Sequence, residues 1–119
     1  GGDRDRAKRP LMGEAASTLS DLAVLTSDNP RSEDPLRIMS DALVGLQKTG
    51  KPYLLEADRE AAIRQTLGQA HEGDVIVLAG KGHETYQILK DRTIAFDDRE
   101  VAAKVLGELG YSRKTENRR

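Results

Sequence analysis

Asp74-Val75-Ile76-Val77-Leu78-Ala79-Gly80-Lys81-Gly82-His83-Glu84 is the stretch on which the fold turns. Four consecutive large aliphatics bounded by Asp and Gly predict a strand buried on both faces, the habit of strands inside parallel sheets. That strand belongs at the centre of the sheet. The glycine-rich run behind it reads as a loop at the carboxyl end of a buried strand, where open α/β sheets bind their ligands.

The flanking segments alternate in type. Upstream, the periodicity predicts a helix from about Pro10 to Ser20, a buried strand over Leu22 to Thr26, and a helix from Pro35 that Gly50 and Pro52 stop. Tyr53 to Glu56 is a short strand, and Asp58 is a good N-cap for a helix carrying Ala61, Ala62, Ile63, Leu67 and Ala70. Downstream, Thr85 to Leu89 and Thr93 to Phe96 flank the three-residue connection Lys90-Asp91-Arg92 of a hairpin. Asp97-Asp98 then caps a last helix that ends at Gly110. The order predicts an α/β fold with a Rossmann-like, mostly parallel sheet, an antiparallel hairpin at one edge and helices on both faces. Residues 1–111 form one domain, and the polar, basic tail 112–119 reads as disordered.

Composition narrows the function classes. With 119 residues and 37% hydrophobic content the chain buries one core. Nineteen basic against 20 acidic residues leave a net charge of −1, so no global field steers the chain toward nucleic acid or an anionic membrane. The absence of cysteine removes disulfides, thiolate nucleophiles and sulfur-based zinc sites, and His71 and His83 are too far apart in sequence to suggest a metal. No stretch has the length of a transmembrane helix, and no signal peptide is visible at the N-terminus. A cytoplasmic protein is the expectation.

Asp28-Asn29-Pro30-Arg31-Ser32-Glu33-Asp34-Pro35 follows the apolar run Leu22 to Leu25. Two readings fit it. Asp, Asn and Pro are turn residues, and Ser32 or Asp34 suits the cap of a helix opening at Pro35. Equally, an ionised Asp accepts from an ammonium, Asn both donates and accepts, and Arg offers a planar fork that matches a carboxylate. That set suits a zwitterionic ligand.

Three motifs together carry a family resemblance: Gly1-Gly2-Asp3-Arg4-Asp5 with Lys8-Arg9-Pro10-Leu11-Met12, Asp28 to Pro35, and Ala79 to Glu84 with Tyr86-Gln87. In order and spacing they resemble the C-terminal domain of the Mur ligases, most narrowly the branch that adds 2,6-diaminopimelate. The resemblance implies a bacterial, ATP-dependent amide-bond ligase of peptidoglycan synthesis, serving cell-wall biogenesis, cell shape and division. Such a ligase activates a carboxyl as an acyl phosphate before an amine attacks. Its first domain holds the UDP-sugar nucleotide, its central domain carries the phosphate loop and magnesium sites, and its third brings the amino acid. This chain matches the third, without the strand that leads into Gly1-Gly2 in the family. ATP and magnesium are therefore expected mainly outside the chain, its partners being meso-diaminopimelate and the other two domains, and no catalytic or metal-binding residue is assigned within it.

Position by position, the resemblance places Arg4, Asp28, Asn29, Arg31, Gly80 and Glu84 around meso-diaminopimelate, with Arg31 holding the distal carboxylate that lysine lacks. It places Asp3 at the ATP ribose, Lys8 and Arg9 near the phosphates, and His83 near the nucleotide. The residues alone leave other readings open: Asp3 and Asp5 as loop caps, Lys8 and Arg9 as a solvated face, His83 as a packing or hydrogen-bonding residue of its loop, Glu84 as a partner of loop amides. Tyr53 and Tyr86 read as strand packing, and His71 has no assigned role. The chain lacks any Gly-x-x-x-x-Gly-Lys-Ser/Thr sequence, so an autonomous ATPase is not expected. A generic nucleotide-binding domain is disfavoured because position 85, where Gly-x-Gly-x-x-Gly needs its third glycine, is Thr. Two further alternatives are a folded module that binds the amino acid without catalysis and a structural fragment without ligand affinity.

Overall fold

A computed structural model of the chain describes residues 1–111; the tail expectation for 112–119 falls outside them. The elements run α1 (Lys8–Leu19), β1 (Ala23–Leu25), α2 (Pro35–Gln47), β2 (Tyr53–Leu55), α3 (Arg59–Gln69), β3 (Tyr86–Ile88), β4 (Thr93–Ala95) and α4 (Asp98–Glu108). Aspartates start three of the helices. Asp34 accepts from Leu36 N ahead of Pro35, Asp58 from Ala61 N, and Asp97 from Arg99 N, each satisfying an amide that the first helical turn leaves unpaired. The fourth, α1, opens two residues before the predicted Pro10 without a side-chain cap at Ala7; Asp5 Oδ1 instead accepts from Ala7 N at 3.0 Å.

The α/β class is as expected, with an interrupted sheet. β1 pairs with β2 in parallel, Val24 opposite Leu54. β3 pairs with β4 in antiparallel fashion, Gln87 opposite Ile94, as a separate two-stranded sheet. Leu89 N donates to Arg92 O at 2.8 Å, so the hairpin connection is one residue shorter than predicted and only Lys90-Asp91 remain at its tip.

Asp74 to Ala79, expected as the central strand, forms no ladder among the described residues. Ile76 and Leu78 pack on the core, whereas Val75 and Val77 are 88% and 79% exposed. This period-two burial is that of a strand with one covered face. An aliphatic run records only that two faces favour apolar cover; which neighbours supply it is a tertiary matter.

Two apolar clusters flank β1. On one side α1 crosses α2 so closely that Gly13 and Gly45 have no room for a side chain, and Met39, Ala42 and Leu46 are buried beneath the crossing. On the other, Ile63 and Leu67 of α3 meet Val105 of α4, with Ile76, Leu78 and Phe96 packed against them. Full burial of a Leu or Val such as Leu46 or Val105 contributes roughly 1.5–3 kcal/mol.

Candidate functional site

Three loops meet beyond the carboxyl end of β1: residues 1–4, 28–33 and 80–84. Gly2 makes the first junction. Its N–H donates to Asn29 O at 2.7 Å, and a Cβ on it would sit 1.6 Å from Pro30 O, so only glycine lets the two backbones approach. Gly80 (φ +101°) makes the second; a Cβ there would lie 3.6 Å from Asp28 Oδ2.

Asn29 is the hub. It is 3% exposed and uses both ends of its amide: Nδ2 donates to Glu84 Oε1 at 2.8 Å, and Oδ1 accepts from Ile88 N at 2.8 Å. Asn29 therefore aims Glu84 instead of reaching for a ligand itself, and Glu84 Oε2 keeps its acceptor capacity. Arg31 lies next along the loop with φ +55°, an unusual backbone for a residue with a side chain. Its N–H donates to Ile88 O at 3.0 Å, which holds that conformation in place. The guanidinium donates from Nη1 to Gly2 O at 2.9 Å and Asn29 O at 3.3 Å. Nε and Nη2 have no partner among the described residues. Arg31 Nη1, Arg4 Cγ and Asp28 Oδ2 all lie within 3.4–3.6 Å of one point above Gly1. The expected ligand set of Arg4, Asp28, Asn29, Arg31, Gly80 and Glu84 is thus gathered in one place, with acceptors and a cation on adjoining walls.

The residues expected near ATP divide. Lys8 and His83 are exposed. Asp3 spends its carboxylate on Ser32, accepting from its hydroxyl at 2.6 Å and its N–H at 3.3 Å. Arg9, expected near phosphates or on a solvated face, is instead 5% exposed and committed to Glu33, Asp41 and Gly1 O. Its neighbours explain the difference: Glu33 and Asp41 arrive from the loop before α2 and from α2 itself, so α1 and α2 bury the guanidinium between them.

This cluster makes the loop acid-sensitive. The Arg9 guanidinium, and behind it the Asp3 N–H, hold Glu33 near a pKa of about 2 instead of 4.5; Arg6 and then Arg9 hold Asp41 at about 2 instead of 3.8. Both folded values lie below the unfolded ones, so the stabilisation is complete above about pH 4.5 and is lost as pH falls toward 2. A carbon-detected NMR titration is expected to give Glu33 a midpoint near pH 2, with the Asp3 amide moving in step; a midpoint near 4.5 would mean that Arg9 does not hold Glu33.

Residues 1–82 match the family model described as Mur ligase, glutamate ligase domain, over more than half of the chain. The chain belongs to the Mur ligase family. Among curated proteins, the UDP-N-acetylmuramoyl-L-alanyl-D-glutamate–2,6-diaminopimelate ligase of Solibacter usitatus is 68% identical over 93% of the chain, and that of Geobacillus thermodenitrificans is 57% identical over 91%. A solved structure of a ligase with the same name superposes with a TM-score of 0.87 at 42% identity, covering 94% of this chain and 23% of that one. This Mur ligase chain spans about 22% of the length of the curated relatives it matches. Among the described residues no three His, Cys, Asp or Glu side chains converge as metal ligands, and no helix is long and apolar enough to cross a membrane.

Sequence reasoning missed the Mur ligase residues that brace the site from below. Arg59 and Asp98 form a buried pair under two of the loops. Lys81 is 3% exposed; its Nζ donates to Tyr86 O and lies 5.7 and 5.8 Å from the centroids of the Tyr86 and Phe96 rings, a cation–π seat that pins the glycine-rich loop to the hairpin. Signals existed. An Arg at the first position of a helix opposes the dipole, and the doubled Asp97-Asp98 supplies one more carboxylate than a cap needs.

Proposed function

We propose that this chain is the amino-acid-binding domain of an ATP-dependent ligase that adds meso-diaminopimelate to UDP-N-acetylmuramoyl-L-alanyl-D-glutamate in bacterial peptidoglycan synthesis. The observation that carries the reading is Arg31: half-buried, anchored through Nη1, with Nε and Nη2 unpartnered among the described residues, on the loop that also carries Asp28 and the Asn29 that holds Glu84. A fork of that kind suits the distal carboxylate of the amino acid, and Asp28 with Glu84 Oε2 suits the distal ammonium. Lysine has the ammonium without the carboxylate. It would leave Nε and Nη2 of Arg31 without a partner, which is how such a site rejects it.

The amine at the other end of diaminopimelate is the nucleophile, so this domain's task is to hold one end and present the other. Activation of the acceptor carboxyl, with ATP and magnesium, is assigned to the N-terminal and central domains in the cytoplasm. The matched relatives are more than four times the length of the aligned segment, which supports that division. Lys8 and His83, exposed near the loops, are the residues left to meet the nucleotide when the domains close.

The test is steady-state ligation by the ligase that carries this domain. Arg31→Ala is expected to lower kcat/KM for meso-diaminopimelate by about 100-fold and to leave the weak use of lysine nearly unchanged, erasing the preference. A variant that keeps its preference for meso-diaminopimelate over lysine would sink the role given to Arg31. Calorimetry of the isolated chain with both amino acids separates a binding module from a structural fragment, since only the former gives heat.

A further inference from the structure

We propose that Arg59, oriented by Asp98, is a positioning residue that sets the spacing of the two loops forming the amino-acid site; this rests on the function proposed above. Arg59 is 4% and Asp98 5% exposed, and they meet in a two-point ion pair, Nε to Oδ1 at 2.8 Å and Nη2 to Oδ2 at 2.7 Å. The guanidinium then reaches two carbonyls. Nη1 donates to Ser27 O at 2.9 Å and Nη2 to Ala79 O at 3.0 Å. Ser27 is the residue before Asp28, and Ala79 is the residue before Gly80.

One planar group therefore touches the root of each loop. Among the described residues no backbone hydrogen bond joins residues 23–27 to residues 74–79, so the separation of the two roots is set by the width of a guanidinium instead of by a ladder. Asp28 and Gly80, the first residue of each loop, lie close together, a Cβ on Gly80 falling 3.6 Å from the Asp28 side chain. A lysine could reach one carbonyl but could not span both and keep the two-point bond to Asp98. Buried ion pairs add little net stability compared with apolar packing, which fits a pair whose return is geometry.

The experiment compares Arg59→Lys and Asp98→Asn in the ligase that carries this domain, measuring KM for the amino acid, KM for ATP, and helix content by circular dichroism. Arg59→Lys is expected to raise the amino-acid KM about 10-fold or more, and Asp98→Asn by less, with ATP KM within about 2-fold and helix content unchanged. The proposal is overturned by an amino-acid KM within about 2-fold of the parent in a folded Arg59→Lys variant, or by amino-acid and ATP KM rising together. If Arg59→Lys does not fold, Asp98→Asn decides on the same criteria, and loss of fold in both variants reduces the pair to a structural brace and also overturns it. Should the parent ligase reject meso-diaminopimelate, the proposed function fails on its own; the same comparison with the amino acid it does use still decides the role of Arg59.

Discussion

Asn29→Asp is expected to lower the thermal midpoint of the chain by roughly 10 °C at neutral pH and to abolish amino-acid binding, although it changes one NH2 group into an oxygen. The Asn29 amide donates to Glu84 Oε1 at 2.8 Å from a position only 3% exposed. Substitution replaces that donor with a second carboxylate facing the first, so a bond is exchanged for repulsion where water gives little help. The cost is about 3 kcal/mol. The bond from Ile88 N to Oδ1 survives, so the loss falls on the Glu84 side. The two facing carboxylates raise each other's affinity for a proton, and once one is protonated it can donate to the other. The deficit relative to the parent chain is therefore full at neutral pH and shrinks on acidification toward about pH 4. Scanning calorimetry at both pH values checks this; a deficit independent of pH would show that Glu84 does not face position 29.

Gly45→Ala is expected to cost about 3 kcal/mol or more, the largest effect of any single added methyl group in the α1–α2 crossing. A Cβ at Gly45 would lie 1.8 Å from Pro10 O and 2.6 Å from Glu14 N, both backbone atoms that no rotamer change can move aside. Alanine's better helix propensity, worth about 1 kcal/mol, cannot offset helices forced apart. Gly68→Ala is the internal control. It also lies in a helix, with nothing within 4 Å of the added Cβ, so propensity alone acts and stability should rise by up to about 1 kcal/mol. Urea denaturation compares the two, and a neutral Gly45→Ala would show that the helices do not cross so closely. Because Arg9 joins α1 to Glu33, parting the helices should also loosen the site loop.

Local chemistry was legible where it depends on near neighbours. Asp34, Asp58 and Asp97 were readable as caps because a cap bonds an amide two or three residues on, and the loop at Asp28 was readable because turn residues and a charge fork share eight positions. The two readings of that loop do not exclude each other: Asp34 caps α2, while Asp28 and Arg31 stand where the three loops meet. Arg9 and Arg59 were not legible as buried. Their carboxylate partners lie 24 to 39 positions away, and nothing in a cation's immediate sequence says whether the chain returns to cover it. The aliphatic run at Val75 misled for a related reason. Its composition reports what cover the side chains would favour, whereas β1 and β2 pair with each other and leave it without a ladder.

The contacts of Asn29 also dictate an order of assembly. Its bond to Ile88 closes a separation of 59 residues, against 32 for the Arg9–Asp41 contact between α1 and α2. The difference in closure entropy is only about 0.5 kcal/mol, but the longer loop must wait for the hairpin to exist. On a ribosome, the segment holding Asp28 and Arg31 emerges with α1 and α2 well before Lys81, Glu84 and Ile88 are synthesised. The α1–α2 half can take shape early, and the three loops meet only when the last third of the chain folds back onto it. On the function proposed above, selectivity for the amino acid is the final property this domain acquires.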